Sequence, residues 1–243
     1  DSIGKFLPDK DRPDEGVFSF KDENKWLSLR YDLTAPLARY VAKNYLEIPK
    51  PFKRSQLGTV WRNEKPGPGR FREFLQFDAG FVGTKSLQAD AELCVMISEI
   101  LENCGLSKSE YTVKISSRKI TDELFKKINI NDNQQKITAL RALDKIDRLG
   151  WNGVKELLGE GRKDKSGDFT KGANLRSKDI KIIEDTLKKT SPETDDLVEL
   201  LKIFKNYNFN NFEFDPSVIR GLEYYTGTIF EVNLKFDVTN NKG

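Results

Sequence analysis

Two arginine-containing segments are the best candidates for chemistry in this sequence. The first comprises residues 62–64 (RNE) and, after a short loop, residues 69–74 (GRFREF), and the second comprises residues 220–227 (RGLEYYTG). A planar guanidinium binds phosphate oxygens bidentately, and a position on a strand lowers the cost of ordering it. The pattern therefore favours a site that holds a polyphosphate and a reacting carboxylate.

The composition excludes several other kinds of chemistry. The 243 residues include no histidine, which removes Ser-His-Asp and Cys-His nucleophiles and most transition-metal sites. A net charge of +3 is too small to indicate a nucleic-acid-binding protein, so any RNA contact must come from local clusters. Cys94 and Cys104 are predicted to be buried, unreactive thiols, as expected in a reducing cytoplasm. The most apolar stretch, residues 93–101, is interrupted by Glu99 and is too short to span a membrane.

The elements that must position the arginines follow from alternation and turn signals. Residues 65–69 contain two prolines and two glycines, so they are predicted to form the loop of a long antiparallel hairpin. A helix is predicted over residues 87–103, ending at Gly105. The other predicted elements are a helix from Thr34 and strands at residues 16–20, 26–31, 52–63, 71–82 and 111–116.

The order of these elements predicts the fold class. Residues 119–207 are rich in Lys, Asp, Leu and Ile with helical spacing, and residues 212–234 return to a strand-like composition. Strands, a helical insertion and strands again indicate an α+β fold with an antiparallel sheet flanked by helices, and not a βαβ repeat.

The two arginine segments together resemble the histidyl-tRNA synthetase branch of the class II aminoacyl-tRNA synthetases. Residues 62–74 are similar to motif 2 of that class, and residues 220–227 are similar to its RGLDYYTG-type histidine motif. Residues 29–35 (LRYDLTA) resemble its LRPEGTA-type element. The resemblance implies a catalytic core in residues 1–118, with the motif 2 hairpin at about 52–82, and in the return strands of residues 208–243. Residues 119–207 match the family only in being a helical insertion.

By this resemblance, Arg62 and Arg220 are the catalytic residues. Both bind the α-phosphate of ATP, with Arg220 in place of a metal ion used by other class II enzymes, while Mg²⁺ bridges the outer phosphates. The carboxylate of histidine is already ionised at neutral pH. Its attack on the α-phosphorus therefore needs positioning and charge stabilisation but no general base.

The remaining ATP contacts are also implied by the resemblance. Glu64 helps place the adenine amino group, Phe74 stacks on the ring, and Arg70 and Arg72 lie near the phosphates or the tRNA acceptor end. The loop at residues 65–69 is expected to meet the acceptor stem of tRNA(His) through phosphate contacts. The alternative is a solvated charged hairpin, because Arg/Glu pairs are common on strand surfaces.

The resemblance further implies a histidine pocket. Its residues are Asp32, Thr34, Gln76, Arg220, Tyr224 and Tyr225. Asp32 and Thr34 bind the substrate amino group, and Thr34 is also a candidate helix N-cap, a role that does not exclude the first. The alternative for the two tyrosines is that they are core aromatics in a strand.

Position 80 departs from the family pattern. A carboxylate that holds the imidazole normally occupies this position, but the residue here is Gly80. Gln76, Asp78 and Gly80 share one strand face, about 7 Å separating successive members, while Phe77 and Phe81 are predicted to point towards a core. We expect Asp78 to supply the missing carboxylate. The alternative is that Asp78 only pairs with a neighbouring arginine and that histidine specificity is weakened.

The resemblance thus implies a ligase that activates histidine with ATP and transfers it to the 3′ end of tRNA(His). It is expected to be cytoplasmic, homodimeric as a full-length protein and not associated with membranes. The alternative is the synthetase-like regulatory subunit of ATP phosphoribosyltransferase, which senses histidine. The chain begins at Asp1 and its only methionine is Met96, so we expect a fragment. The family's first and third motifs and its anticodon-binding domain are expected to fall outside this fragment. Whether the fragment is active without them is left open.

Overall fold

A computed structural model describes most of the chain, namely residues 16–67, 69–164, 167–192, 194–220 and 225–239. The backbone divides into two compact units. The first unit comprises residues 1–85 and 238–243, and the second comprises residues 86–237.

The described residues of the first unit form two hairpins and a helix. Strand β1 (Ser19–Asp22) pairs antiparallel with β2 (Lys25–Ser28), and helix α1 spans Thr34–Lys43. Strands β3 (Phe52–Trp61) and β4 (Glu73–Val82) form a longer antiparallel hairpin. The predicted hairpin is confirmed, although both strands stop short of the loop boundaries that the sequence indicated.

The two faces of the β3–β4 hairpin differ in exposure. Even-numbered side chains are half-buried or buried. The segment before α1 covers part of this face, since a Cβ atom built at Gly58 would lie 3.3 Å from Leu33 Cδ2 and 3.4 Å from Arg30 Nη2. Arg30 also donates from Nε to Thr59 O at 2.7 Å. The odd-numbered face is open, and Phe77 is 52% exposed. The prediction that Phe77 points into a core was therefore wrong, since among the described residues no further strand pairs with β3 and β4 and no element covers this part of the face.

A three-stranded sheet organises the second unit. Strand β5 (Tyr111–Ser117) lies in the centre, antiparallel to β9 (Thr228–Leu234) and parallel to β8 (Phe212–Phe214). The α+β fold class is confirmed, although one strand pair is parallel. A long connection through several helices separates β5 from β8, and such a connection allows the chain to return in the same direction.

One face of this sheet packs against helices α2 (Leu87–Asn103) and α7 (Asp195–Asn206). Helix α2 has the predicted bounds, and Gly105 follows it with φ of 96°. Cys94 of α2 is buried, and burial raises the pKa of its thiol. Cys104 is exposed because it is the C-cap of α2, so its predicted burial was wrong. The buried residues of this core are Ala91, Cys94, Tyr111, Val113, Ile115, Leu197, Leu200, Phe204 and Phe209.

A second core lies among the remaining helices of the second unit. These are α3 (Arg118–Lys127), α4 (Asn133–Leu143), α5 (Ile146–Leu158) and α6 (Ser177–Leu187). Helix α5 is kinked at Gly150, whose φ of 63° is readily accessible only to glycine. A short hairpin of β6 (Gly161–Lys163) and β7 (Phe169–Lys171) lies within residues 119–207, for which only helical spacing was predicted. Within the described ranges, no helix combines the length and the apolar character needed to cross a membrane.

A buried carboxylate of α6 pairs with two lysines beside this second core. Glu184 is only 8% exposed. It forms ion pairs with Lys188 Nζ at 2.7 Å and with Lys155 Nζ of α5 at 3.2 Å. The hydrogen bond from Lys188, reinforced by Lys155, lowers the pKa of Glu184 to about 2.

We predict that this carboxylate contributes to acid sensitivity. A group with a lowered pKa in the folded state stabilises the fold above its unfolded pKa, which is about 4.3, and loses that contribution as the pH falls towards its folded pKa. The unfolding midpoint of Glu184→Gln should therefore lie below that of the wild type at pH 7. The two midpoints should converge between about pH 4.5 and pH 2.

Thermal unfolding followed by circular dichroism at several pH values measures this difference. Asp185→Asn is the matched control, because Asp185 pairs with Lys181 on the exposed side of the same helix, where both side chains are about 60% exposed. That variant should change the midpoint little at any pH. If the difference in unfolding midpoint between wild type and Glu184→Gln stays constant down to pH 2.5, the lowered pKa assigned to Glu184 is contradicted.

Candidate active site

Arg62 is held in place at the end of β3. Its Nε donates to the carbonyl oxygen of Tyr31 at 3.4 Å, and its Nη2 donates to Gln76 Oε1 at 3.2 Å. Its Cζ atom lies 4.8 Å from the centre of the Tyr31 ring and 5.0 Å from that of Phe74. These contacts orient the guanidinium before any ligand arrives, and three of its five N–H groups make no hydrogen bond to the described residues. An oriented guanidinium with several N–H donors still available is suited to binding the oxygens of a phosphate group.

Gln76 links Arg62 to Asp78. While its Oε1 accepts from Arg62, its Nε2 donates to Asp78 Oδ1 at 2.9 Å. The side chains of Gln76 and Asp78 lie on the same face of β4, as predicted from the period of a strand. The register places Gln56 opposite Asp78, and Gln56 accepts a hydrogen bond from Arg54. The result is a half-buried row of polar side chains along one face of the hairpin.

Gly80 leaves open space at the end of this row. Its register partner is Arg54, and a Cβ atom built at Gly80 would meet no other atom within 4 Å. The space beside Asp78 is therefore available to a ligand or to a larger side chain.

The hairpin loop carries the other predicted ATP-binding residues. Glu64 Oε1 accepts from the hydroxyl of Tyr31 at 3.0 Å, and the carbonyl oxygen of Glu64 accepts from Arg72 Nε at 3.1 Å. Arg70 is exposed and forms an isolated bridge with Gly67 at the turn. Burial, followed by the hydrogen bond to Glu64, raises the pKa of Tyr31, so its hydroxyl remains a donor at neutral pH.

Asp32 has a structural contact at the start of α1. Its Oδ1 accepts a hydrogen bond from the backbone N–H of Ala35 at 3.0 Å. Thr34 is the first residue of α1 and is exposed. The prediction that Thr34 caps the helix was therefore wrong, because Asp32 provides the capping oxygen. An acceptor at this position satisfies one of the unpaired N–H groups of the first turn.

Arg220 and Tyr225 belong to the second unit. Arg220 lies in the loop between β8 and β9, where a strand was predicted, and its Nη1 is 3.8 Å from Glu231 Oε2. Its Cζ atom is 6.0 Å from the centre of the Tyr225 ring. Residues 221–224, including the predicted pocket residue Tyr224, lie outside the described residues.

The sheet face beside Arg220 is charged. Lys114 of β5 is flanked in register by Glu231 and Glu213, and its Nζ lies 2.7 Å from Asp215 Oδ2. Burial alone would raise the pKa of Asp215, but hydrogen bonds from Lys114 and Ser217 outweigh burial and lower it. Asp215 is therefore ionised at neutral pH and pairs with Lys114, while Glu231 lies within ion-pair distance of Arg220.

The first unit brings together five of the residues predicted to bind ATP or histidine. Arg62, Phe74, Gln76 and Asp78 follow one another along one face, and Glu64 joins them through Tyr31. The sequence reasoning missed Tyr31, Arg54 and Gln56. The period of β3 would have indicated Arg54 and Gln56, which alternate with exposed residues. Nothing in the local pattern indicated that Tyr31 contacts Glu64, 33 positions later in the chain.

Solved structures share this fold. The crystal structure of histidyl-tRNA synthetase from Nostoc sp. PCC 7120 matches with a TM-score of 0.69 and 25% identity, covering 90% of this chain and 52% of that chain. A Bacillus halodurans structure described as an ATP phosphoribosyltransferase regulatory subunit/histidyl-tRNA synthetase matches in fold, with a TM-score of 0.67 and 22% identity, covering 92% and 59% of the two chains. The fold is therefore that of synthetase-like α+β proteins.

The sequence narrows this class to one family. Residues 5–235 match the family model for histidyl-tRNA synthetase. The chain is 48% identical over 269 aligned residues to the histidine–tRNA ligase of Bartonella henselae and 47% identical over 268 to that of Rhizobium meliloti. Both alignments cover 100% of this chain but only 54% and 53% of the relatives, so it spans about half their length. The chain belongs to the histidyl-tRNA synthetase family.

The capping contact of Asp32 generates a prediction about stability. Asp32→Ala should lower the free energy of unfolding by about 1 kcal/mol, because it leaves an N–H group of the first turn of α1 without its acceptor. Thr34→Ala is the matched control and should be close to neutral, since Ala is a better helix former than Thr. Urea denaturation of both variants measures the difference. Equal losses, or a larger loss for Thr34→Ala, would contradict the assignment of Asp32 as the capping residue.

Proposed function

We propose that the protein to which this chain belongs activates histidine with ATP and transfers it to the 3′ end of tRNA(His). The observation that carries this proposal is the fixed guanidinium of Arg62, linked through Gln76 to Asp78, in a member of the histidyl-tRNA synthetase family. This row of side chains has a guanidinium that can bind phosphate at one end. At the other end it has a carboxylate that can accept from a cationic or N–H-bearing substrate.

The first step is the formation of histidyl-adenylate. A carboxylate oxygen of histidine attacks the α-phosphorus of ATP, the bond to the β-phosphate oxygen breaks, and pyrophosphate leaves. Arg62 and Arg220 stabilise the charge on the α-phosphate, while Glu64, Arg70, Arg72 and Phe74 bind the rest of the nucleotide. Mg²⁺ enters with the outer phosphates of ATP as part of that substrate. In the second step, a ribose hydroxyl of the tRNA 3′ end attacks the carbonyl carbon and releases AMP.

Histidine is held by its two charged ends and by its ring. Asp32 and Thr34 bind the amino group together with Gln76, Arg220 lies beside the carboxylate, and the pocket is lined by Tyr224 and Tyr225. In this proposal, Asp78 accepts a hydrogen bond from an imidazole N–H through Oδ2, for which the described residues provide no donor. The space at Gly80 accommodates a ring bound closer to Asp78.

The proposal extends to the organisation of the whole protein. Residues 1–118 and 208–243 contribute to the catalytic core, and residues 119–207 form a helical insertion. The loop at residues 65–69 contacts the tRNA acceptor stem through phosphates. The full-length protein works as a homodimer in the cytoplasm, away from membranes.

Histidine-dependent exchange of pyrophosphate into ATP by the full-length protein tests this function. We expect exchange with histidine and none with glutamine or lysine. Binding of histidine without exchange would instead indicate a histidine-sensing regulatory subunit of ATP phosphoribosyltransferase. No response to histidine would show that the substrate assignment is wrong.

Asp78→Asn tests the specificity assignment. Losing a charged acceptor should raise the KM for histidine roughly 10- to 100-fold, with the KM for ATP nearly unchanged. Asp22→Asn, at an exposed position of β1, is the matched control and should leave both constants unchanged.

Moving the carboxylate from position 78 to position 80 of the same strand should restore histidine affinity. Asp78→Gly should lose histidine affinity, and the double variant Asp78→Gly, Gly80→Glu should recover it, because the site of Gly80 is open. Unchanged histidine affinity in Asp78→Asn would eliminate Asp78 as the imidazole ligand.

A further inference from the structure

We infer that Tyr31 is a positioning residue of the ATP site, which holds Arg62 with its ring and aims Glu64 with its hydroxyl, and thereby sets the preference for adenine. This inference rests on the proposed function. It assigns a role to a residue that touches neither the phosphates nor the base itself.

The backbone on either side of Tyr31 is anchored. Arg30 makes two hydrogen bonds to the backbone of β3. Its carbonyl oxygen accepts from Trp61 N at 2.9 Å, and its Nε donates to Thr59 O at 2.7 Å. Two residues after Tyr31, Leu33 is only 1% exposed. Its Cδ2 lies 3.3 Å from the position of a Cβ atom built at Gly58 of β3. A side chain between two such anchors has a fixed origin, so its own contacts are made with little further loss of conformational entropy.

Three separate parts of Tyr31 contact the two functional residues. The hydroxyl donates to Glu64 Oε1 at 3.0 Å, the ring centre lies 4.8 Å from Arg62 Cζ, and the carbonyl oxygen accepts from Arg62 Nε at 3.4 Å. Glu64 is exposed, and a long exposed side chain samples many rotamers. The hydrogen bond to Tyr31 restricts those rotamers and leaves Oε2 of Glu64 to accept from a ligand.

The charges around Tyr31 agree with this role. The groups that act on its hydroxyl are Glu64, Arg62 and Asp32, and burial together with Glu64 keeps it protonated. A protonated hydroxyl can only donate to a carboxylate, so the orientation of Glu64 does not change near neutral pH. The amino group of adenine is a donor that suits the second carboxylate oxygen, whereas a purine without that group offers it nothing.

The ring and the hydroxyl can be separated by substitution. Tyr31→Phe keeps the ring against Arg62 and removes only the bond to Glu64. We expect the KM for ATP to rise roughly tenfold with kcat nearly unchanged. The preference for ATP over purine riboside triphosphate, which lacks the 6-amino group, should fall by a similar factor. Tyr31→Leu removes the ring as well and should also lower kcat, by roughly 2- to 30-fold, because Arg62 loses one of its two aromatic partners and keeps only Phe74.

Pyrophosphate exchange by the full-length protein, with each nucleotide in turn, measures these effects. Tyr45→Phe is the matched control, since Tyr45 is a 51% exposed tyrosine of the same unit, and it should behave as the wild type. A Glu64→Ala variant should show the same loss of preference, and adding Tyr31→Phe to it should have no further effect. Such non-additivity distinguishes positioning from general destabilisation.

The outcomes separate this inference from the proposed function. If the wild type shows no histidine-dependent exchange, the proposed function fails first. If the wild type is active but Tyr31→Phe retains its KM for ATP and its preference for ATP, the role of Tyr31 is refuted. A fall in kcat alone, equal for both nucleotides, would likewise refute it, because that pattern describes a structural residue. Should Tyr31→Phe fail to fold, the selectivity of Tyr31→Leu decides the same question.

Discussion

The candidate site depends on the register in which β3 pairs with β4. That register sets Gln56 opposite Asp78 and Gly58 opposite Gln76, so the polar side chains of both strands meet on one face. A slip of one residue along either strand would turn every one of that strand's side chains to the other face. Arg62 continues the alignment beyond β3, where its backbone N–H donates to Arg72 O at 2.9 Å. The chain Arg62–Gln76–Asp78 exists only because this register holds.

A two-stranded hairpin is marginally stable by itself in water, so this register needs support from outside the strands. The segment that leads into α1 provides it through Arg30 and Leu33, which lie against the even-numbered face. The same segment carries Tyr31 and Asp32. The contacts that stabilise the hairpin and the contacts that orient its functional residues therefore come from one short stretch of chain. A change there is expected to alter stability and nucleotide binding together.

The second unit differs from the first in that its described residues bury two separate apolar cores. One lies between the sheet and the pair α2 and α7, and the other lies among α3, α4, α5 and α6. The opposite face of the sheet is charged, with Lys114 held by Asp215 across 101 positions of sequence. Removing one partner of such a half-buried pair leaves the other charge uncompensated. Arg220 lies beside this charged face, with its Nη1 3.8 Å from Glu231 Oε2.

The sequence by itself determined the locally encoded features. Alternation and the Pro/Gly loop predicted the hairpin and the shared face of Gln76 and Asp78, and the helix ending before Gly105 was predicted with its observed bounds. Only the tertiary structure decided that Tyr31 contacts Glu64, that Asp32 caps α1 and that Arg220 lies in a loop. Periodicity reports on residues a few positions apart along one element. Contacts between distant segments depend instead on how the loops close and on what packs against each face, which no local pattern records.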